Sequence, residues 1–204
     1  MSGEDPLDLP DPTVSALTKA ADASYEAQAA RPELDDDDRW IASQMIGRPL
    51  RGRSAAAVRC GWGLPAVLRV DPVLEDGTPF PTVFWLACPL ANSQIGSLEA
   101  SGVMQNLAQR VAEEQELAPA HAAAGQRYVT FRNSLGARVP RDPAAGGLPD
   151  RVKCLHSLYG HHLATEDDPI GAWVAQRLEP LACPAPCVSP DASGSQRSDP
   201  DSTG

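Results

Sequence analysis

The sequence contains no long apolar run, which excludes a membrane-spanning protein from the start. No stretch of its 204 residues approaches the ~20 apolar residues that a transmembrane helix needs. The opening segment, MSGEDPLDLPDP, is acidic and Pro-rich. It lacks the basic start and the apolar stretch of a secretory signal peptide. We therefore expect a cytoplasmic protein without a membrane span.

The central part of the chain also has little net charge. The formal net charge is −10, but residues 1–38 contribute −9 and residues 188–204 contribute −2, which leaves residues 39–187 at +1. A nucleic-acid-binding domain needs a strongly basic surface, so nucleic acid is not an expected partner, whereas a protein partner stays open. Low hydrophobicity and like charges in the end segments favour disorder. The sequence thus predicts a disordered acidic tail over 1–38, one domain over 39–183 and a second disordered tail over 184–204.

The apolar pattern of the central part predicts an α+β domain. Short runs rich in Val, Leu, Phe and Trp, bounded by Pro and Gly, predict two or three strands over 54–60, 65–70 and 82–88. A short helix over 39–46, with Asp38 as its N-cap and Gly47 at its end, precedes them. Apolar spacings of three and four, with capping residues, predict the later helices, which cover 93–101, 103–115, 117–134, 150–164 and 170–179. We expect a small antiparallel β-element packed against four or five helices.

The familiar enzyme motifs are missing, so the cysteines become the main chemical signal. There is no Walker loop, Rossmann glycine motif, Gly-x-Ser-x-Gly or His-Glu-x-x-His. An odd number of cysteines in a reducing compartment indicates free thiols or a metal site. The five cysteines are Cys60, Cys88, Cys154, Cys183 and Cys187.

Two of these cysteines lie where zinc ribbons place their ligands. Cys60-Gly-Trp-Gly and Cys88-Pro-Leu-Ala each follow a predicted strand and open a tight turn, whose amides can hydrogen-bond a thiolate. A complete knuckle would carry a second cysteine three positions later, where Gly63 and Ala91 stand. A four-thiolate ribbon is therefore excluded, and each turn offers a single thiolate.

The predicted helix over 150–164 offers further metal ligands. On a wheel of ~100° per residue, His161 lies about 20° from Cys154 and two turns further on. His156 replaces it only if the helix begins after Cys154. The hypothesis is one Zn²⁺ ion held by Cys60, Cys88, Cys154 and one histidine, with an iron–sulfur cluster as a less favoured cofactor. The alternative is that the three thiols are buried small apolar side chains without a ligand.

The number of ligands decides what such a metal site does. A closed four-ligand site is structural and suits an interaction or accessory module, whereas a missing fourth ligand leaves a position for water and for hydrolysis. Cys154 and His161 also form a conceivable nucleophile and base. Cys183-Pro-Ala-Pro-Cys187 could supply a ligand, although its composition favours exposed thiols in a flexible tail.

A second constellation of the sequence is cationic. Arg48 and Arg51 lie on Gly-Arg-Pro-Leu-Arg-Gly-Arg, and Arg151 falls inside the apolar stripe of the predicted 150–164 helix. A guanidinium at such a place needs a partner, because burying an unpaired charge is costly. The partner is either a carboxylate of the protein or an anionic ligand gripped in a bidentate manner. The second option predicts an enzyme that acts on a small anionic or phosphorylated substrate; a ligand-free packed scaffold is the third interpretation.

Several motifs together resemble one known family. They are GRP at 47–49, RC at 59–60, LEDGTPFPT at 74–82, WLACP at 85–89 and GGLPDRVKCLH at 146–156. Over roughly residues 40–175 the sequence is similar to the bacterial domain-of-unknown-function family 501. That family carries no established activity. The resemblance implies that Cys88, Arg151, Cys154 and His156 belong to one site.

Overall fold

The sequence folds into seven helices and three strands within the described part of the chain. A computed structural model describes residues 14–136, 139–141, 143–145, 152–178 and 181–189. The elements are α1 (Val14–Ala29), α2 (Asp36–Ile46), β1 (Ser54–Arg59), β2 (Pro65–Val70), β3 (Phe84–Leu86), α3 (Pro89–Ala100), α4 (Val103–Glu113), α5 (Leu117–Ser134), α6 (Leu155–Thr165) and α7 (Pro169–Arg177). None of the described helices is both long and apolar enough to cross a lipid bilayer.

The three strands form one antiparallel sheet in the order β1-β2-β3. β2 is the middle strand and is buried along its whole length, as its unbroken apolar run PAVLRV predicts apart from Arg69. Val67 pairs with Val58 on one side and with Leu86 on the other. The turn between β1 and β2 contains Gly63 at φ 76°, a left-handed conformation that glycine adopts without steric cost. The predicted α+β class with an antiparallel β-element is confirmed.

Helix α6 packs across this sheet and forms the centre of the core. Leu155 and Leu158 are completely buried. At Gly160 the helix approaches the sheet so closely that an added Cβ would lie 2.9 Å from the carbonyl oxygen of Phe84. The Phe84 ring in turn lies parallel to the His161 ring, with 6.0 Å between the centroids. The position of α6 is therefore fixed by the sheet, and this positions the residues at its N-terminal end.

Helix α1 lies inside the segment for which the charge pattern predicts a disordered tail. Tyr25 of α1 is only 7% exposed, and its hydroxyl lies 2.5 Å from Nε2 of His161. The Gln28 side chain donates to the carbonyl of Ala164 at 2.9 Å. These contacts link α1 to α6. The charge pattern does not reveal this docking, because a few buried polar and aromatic contacts hold the helix and its other residues are mostly polar or small.

The helix boundaries differ from the predicted ones mainly at the N-termini. Asp35, and not Asp38, caps α2, because its side chain accepts a hydrogen bond from the Asp38 N–H at 2.8 Å. Gly47 ends this helix at φ 74°, as predicted. α3 begins at Pro89, which needs no N–H partner in the first turn. The predicted starts at 93 and 150 are replaced by starts at 89 and 155.

Candidate metal centre and adjoining cleft

The first turn of α6 determines which histidine lies beside Cys154. Cys154 precedes the helix in an extended conformation, at φ −153° and ψ 107°. The helix therefore starts after Cys154, and the wheel that placed Cys154 beside His161 does not apply. His156 takes that place instead, with its Nδ1 4.0 Å from the Cys154 sulfur. This is the arrangement that the sequence predicts for a helix beginning after the cysteine.

Glu99, in the last turn of α3, reaches the same point from the other side. Its Oε1 lies 3.3 Å from Nδ1 of His156. The same oxygen accepts the backbone N–H of Leu155 at 2.7 Å, which is one of the four N–H groups that a helix start leaves without an internal partner. Ligand atoms of Glu99, Cys154 and His156 all lie within 4.8 Å of one another, and no other trio of such ligands does so among the described residues.

The His156 ring is oriented as metal-binding histidines usually are. Its Nε2 lies 3.2 Å from the backbone oxygen of Asn92. A carbonyl can only accept, so Nε2 carries the proton and Nδ1 is left to act as a ligand. Bond lengths of ~2.0–2.3 Å at tetrahedral angles put neighbouring ligand atoms ~3.3–3.6 Å apart. The observed separations of 3.3 Å and 4.0 Å are close to this geometry.

The protonation of this cluster is shifted from ordinary values. The Cys154 contact, more than Glu99, raises the pKa of His156 to about 9. Burial raises the pKa of the Cys154 thiol, but hydrogen bonds from His156 and Ser157 outweigh it, so the net shift of this pKa is downward. The Ser157 hydroxyl lies 3.6 Å from the sulfur. In the metal-free cluster the two shifts favour a thiolate beside an imidazolium.

A cleft of about 370 Å³ opens beside this cluster. His156 belongs to both, and Ser157, whose hydroxyl contacts the Cys154 sulfur, also lines the cleft. Its floor is aromatic, and the Arg48 guanidinium lies 4.7 Å from the centroid of the Trp85 ring. No carboxylate of the described residues pairs with Arg48. The lining residues are Arg48, Phe80, Thr82, Phe84, Trp85, Leu86, Asn92, His156 and Ser157.

Much of the core and the whole of this cluster lie in a stretch that matches a family model. Residues 56–176 match the model of a family described as "Protein of unknown function (DUF501)", which covers more than half of the chain. The chain belongs to the DUF501 family. No curated protein matches it, and no solved structure does.

The structure places the other predicted ligands of this DUF501 chain elsewhere. Cys60 packs beside Ile41 and Met45, and Cys88 is buried at the start of α3. His161 is fully buried, and its Nδ1 lies 3.5 Å from Oδ2 of Asp168. Two of the five predicted ligands, Cys154 and His156, are thus brought together.

Two of the three arginines predicted to bind an anion lie in the described part of the chain. Arg48 lines the cleft next to His156. Arg51 is exposed and lies 3.6 Å from Asp76. It does not line the cleft, but it borders a much smaller neighbouring cavity that Arg48 and Trp85 also line. Arg151 lies outside the described residues. Of the predicted anion-binding residues, Arg48 is the one that the structure places at the candidate site.

Two residues of the site were missed by sequence reasoning. Glu99 is the single carboxylate of α3, and its partners are 55 and 57 positions away. Asn92 contributes only a backbone oxygen, which side-chain patterns cannot reveal. No local signal identifies either residue, because both are brought to α6 by the packing of α3 against it.

Proposed function

We propose that the protein binds one zinc ion through Glu99, Cys154 and His156, and that this centre works on a small anionic molecule held in the adjoining cleft. The observation that carries the proposal is the convergence of three ligand atoms within 4.8 Å. The backbone hydrogen bonds at Leu155 and Asn92 support it, because they fix the carboxylate and the imidazole in a ligating orientation.

The donor set favours zinc over the other cofactors. One thiolate, one imidazole and one carboxylate are all ligands that Zn²⁺ accepts in a tetrahedral site. Magnesium and calcium prefer oxygen ligands alone. An iron–sulfur cluster is held mainly by several thiolates, and Cys154 is the single thiol of this group.

The surroundings of the cluster favour a reactive site over a purely structural one. Structural zinc sites are closed by four protein ligands, whereas catalytic sites combine three protein ligands with water. The described residues supply three. A bound zinc ion would lower the pKa of its water to about 7 and so supply a hydroxide at neutral pH. Arg48, which pairs with no carboxylate of the described residues, would hold the anionic end of the substrate.

A second candidate function needs no metal. The Cys154 sulfur lies just before the first turn of α6, within 4.0 Å of His156 Nδ1 and 3.6 Å of the Ser157 hydroxyl. Thiols at helix N-termini beside a basic group are the ones that act as nucleophiles. The same cleft and the same Arg48 would then present an electrophilic anionic substrate to the sulfur.

All five cysteines are unpaired thiols. Free thiols persist in a reducing compartment, which supports the cytoplasm as the location of the protein.

Metal analysis of the full chain without a His tag tests the proposal. We expect about one zinc equivalent at this cluster, and a loss of affinity of about 100-fold or more for Cys154→Ser, His156→Gln and Glu99→Gln, because each removes a direct ligand. Glu113→Gln, an acid on α4 outside the cluster, is the matched control and should bind zinc as the wild type does.

Alkylation of Cys154 separates the two candidate functions. If zinc is bound there, it protects the sulfur from iodoacetamide, and a chelator restores the reaction. Two results together would contradict the zinc proposal: Cys154 reacts equally fast with and without zinc, and the three ligand variants keep the wild-type metal content. The nucleophilic function of Cys154 would then be the remaining candidate.

A further inference from the structure

The C-terminal segment over residues 181–189 crosses one end of the sheet. The indole N–H of Trp62, in the turn between β1 and β2, donates to the carbonyl of Cys183 at 2.9 Å. Further along the segment, Val188 packs on the same small apolar cluster as Cys60, which includes Ile41. The segment is therefore docked at two points that lie on either side of Cys187.

The strand register brings two more thiols to this end of the sheet. β1 and β3 are both antiparallel to β2, so their carboxyl ends lie at the same edge. Cys60 directly follows β1, where Arg59 pairs with Pro65. Cys88 follows β3, and its N–H donates to Ala66 at 3.1 Å. The two cysteines thus flank the first residues of β2.

From these placements we infer that Cys60, Cys88, Cys183 and Cys187 form a second zinc site, a four-thiolate one that fastens the C-terminal segment to the end of the sheet. Each thiol releases one proton when its sulfur binds the ion, and neither the sulfur nor the zinc changes its oxidation state. Four protein ligands close the coordination sphere, which makes this a structural site. The turns after β1 and β3 each supply one thiolate, and the C-terminal segment supplies the other two. This site is separate from the cluster that contains Cys154.

The electrostatics of Cys187 agree with four thiols in one neighbourhood. Burial is the largest cause that raises the pKa of the Cys187 thiol, and the nearby thiols of Cys88, Cys183 and Cys60 raise it further. Among the described residues no three of these sulfur atoms lie within 4.8 Å of one another. Zinc binding would therefore draw the Cys-Pro-Ala-Pro-Cys segment toward the sheet, and this closure is a measurable consequence.

Zinc stoichiometry of cysteine variants tests the inference in the full, untagged chain. We expect Cys183→Ser/Cys187→Ser to lose about one zinc equivalent that Cys154→Ser retains. Cys154→Ser is the matched control, since it removes a thiol of the other cluster. Equal zinc content in the wild type and in Cys183→Ser/Cys187→Ser would overturn the inference.

The outcomes for the two zinc sites are distinguishable. Loss of zinc only in Cys183→Ser/Cys187→Ser supports the four-thiolate site and contradicts the proposed cluster, whereas loss only in Cys154→Ser has the opposite meaning. The double variant changes a segment outside the helices and the sheet, so circular dichroism should show an unchanged fold.

Hydrogen exchange provides a second readout. Zinc added to the chelator-treated wild type should slow amide exchange over residues 181–189 at least tenfold, and it should have no such effect on Cys183→Ser/Cys187→Ser. Unchanged exchange in the wild type at saturating zinc would overturn the inference even if some metal is bound.

Discussion

Two histidines on the same helix, five positions apart, have opposite surroundings. The side chain of His161 is completely buried, between the Tyr25 hydroxyl on one side and Asp168 on the other. The side chain of His156 is 29% exposed and faces Cys154, Glu99 and the cleft. Both have a carboxylate beside the ring, yet only one of them lies where a ligand could reach it.

The comparison shows that accessibility, and not the presence of polar partners, separates the structural end of α6 from its chemical end. Around His161 the carboxylates are used within the fold: Asp168 caps α7 through the N–H of Gly171 at 2.7 Å, and Asp167 pairs with Arg127. Around His156 the ligand atoms converge beside an open cleft. Substitutions around His161 should therefore lower the stability of the fold, whereas substitutions around His156 should mainly weaken ligand binding.

Removing the buried carboxylate at the structural end should have the largest effect. Asp168 is 2% exposed, and its Oδ2 faces His161 and His121 at 3.5 Å and 3.7 Å. We expect Asp168→Ala to lower the free energy of unfolding by about 3–5 kcal/mol, because it removes a helix cap and one partner of a buried polar cluster. Urea unfolding measures this. Asp168→Asn keeps a capping oxygen and should lose less; a loss under about 1 kcal/mol for Asp168→Ala would contradict the comparison.

An intermediate effect is expected where α6 meets the sheet. Gly160→Ala would place a Cβ 2.9 Å from the Phe84 carbonyl oxygen, and the resulting strain should cost about 1–3 kcal/mol of stability. Gly96→Ala on α3 is the matched control, because nothing lies within 4 Å of its added Cβ. Thermal unfolding of both variants should show a lower midpoint for Gly160→Ala alone. Equal midpoints would mean that the sheet does not fix α6.

The smallest effect on stability is expected at the chemical end, and it should depend on pH. The pKa of His156 is raised from 6.5 to about 9 in the metal-free protein. Its imidazolium therefore stabilises the fold fully below pH 6.5, and this contribution is lost as the pH rises through about 9. In chelator, His156→Gln should be less stable than the wild type by under about 1 kcal/mol at pH 6. At pH 10 the two should unfold at the same urea concentration; a difference that grows with pH would show the opposite sign.

Much of the fold could be predicted from the sequence because its signals are local. The runs 54–60 and 65–70 coincide closely with β1 and β2, since a buried strand needs only a short apolar segment between turn residues. Gly47 marks the end of α2, because a single glycine can adopt the left-handed backbone conformation that ends a helix. No comparable signal fixes the start of α2, because four consecutive aspartates offer equivalent caps.

The site could be predicted only in part, because its geometry depends on long-range packing. Cys154 and His156 were identified from one segment of the chain, but the extended conformation of Cys154 is not visible in a helical wheel. The contribution of Glu99 depends on α3 packing against α6. The docking of α1 was missed although Ala21, Tyr25 and Gln28 recur at helical spacing, since the surrounding residues are polar.

One buried cation limits how this chain can be shortened. Arg69, in the middle strand, is 7% exposed and donates to the carbonyls of Gln28 and Ala29 at 2.9 Å and 3.1 Å, where α1 ends. Those carbonyls belong to residues far ahead of the family-matched segment, which begins at residue 56. A fragment trimmed to that segment would leave the Arg69 guanidinium without its acceptors and the aromatic core without Tyr25. The family-matched segment therefore leaves out contacts that the core of the fold uses, and expression work on this protein should retain the first helix.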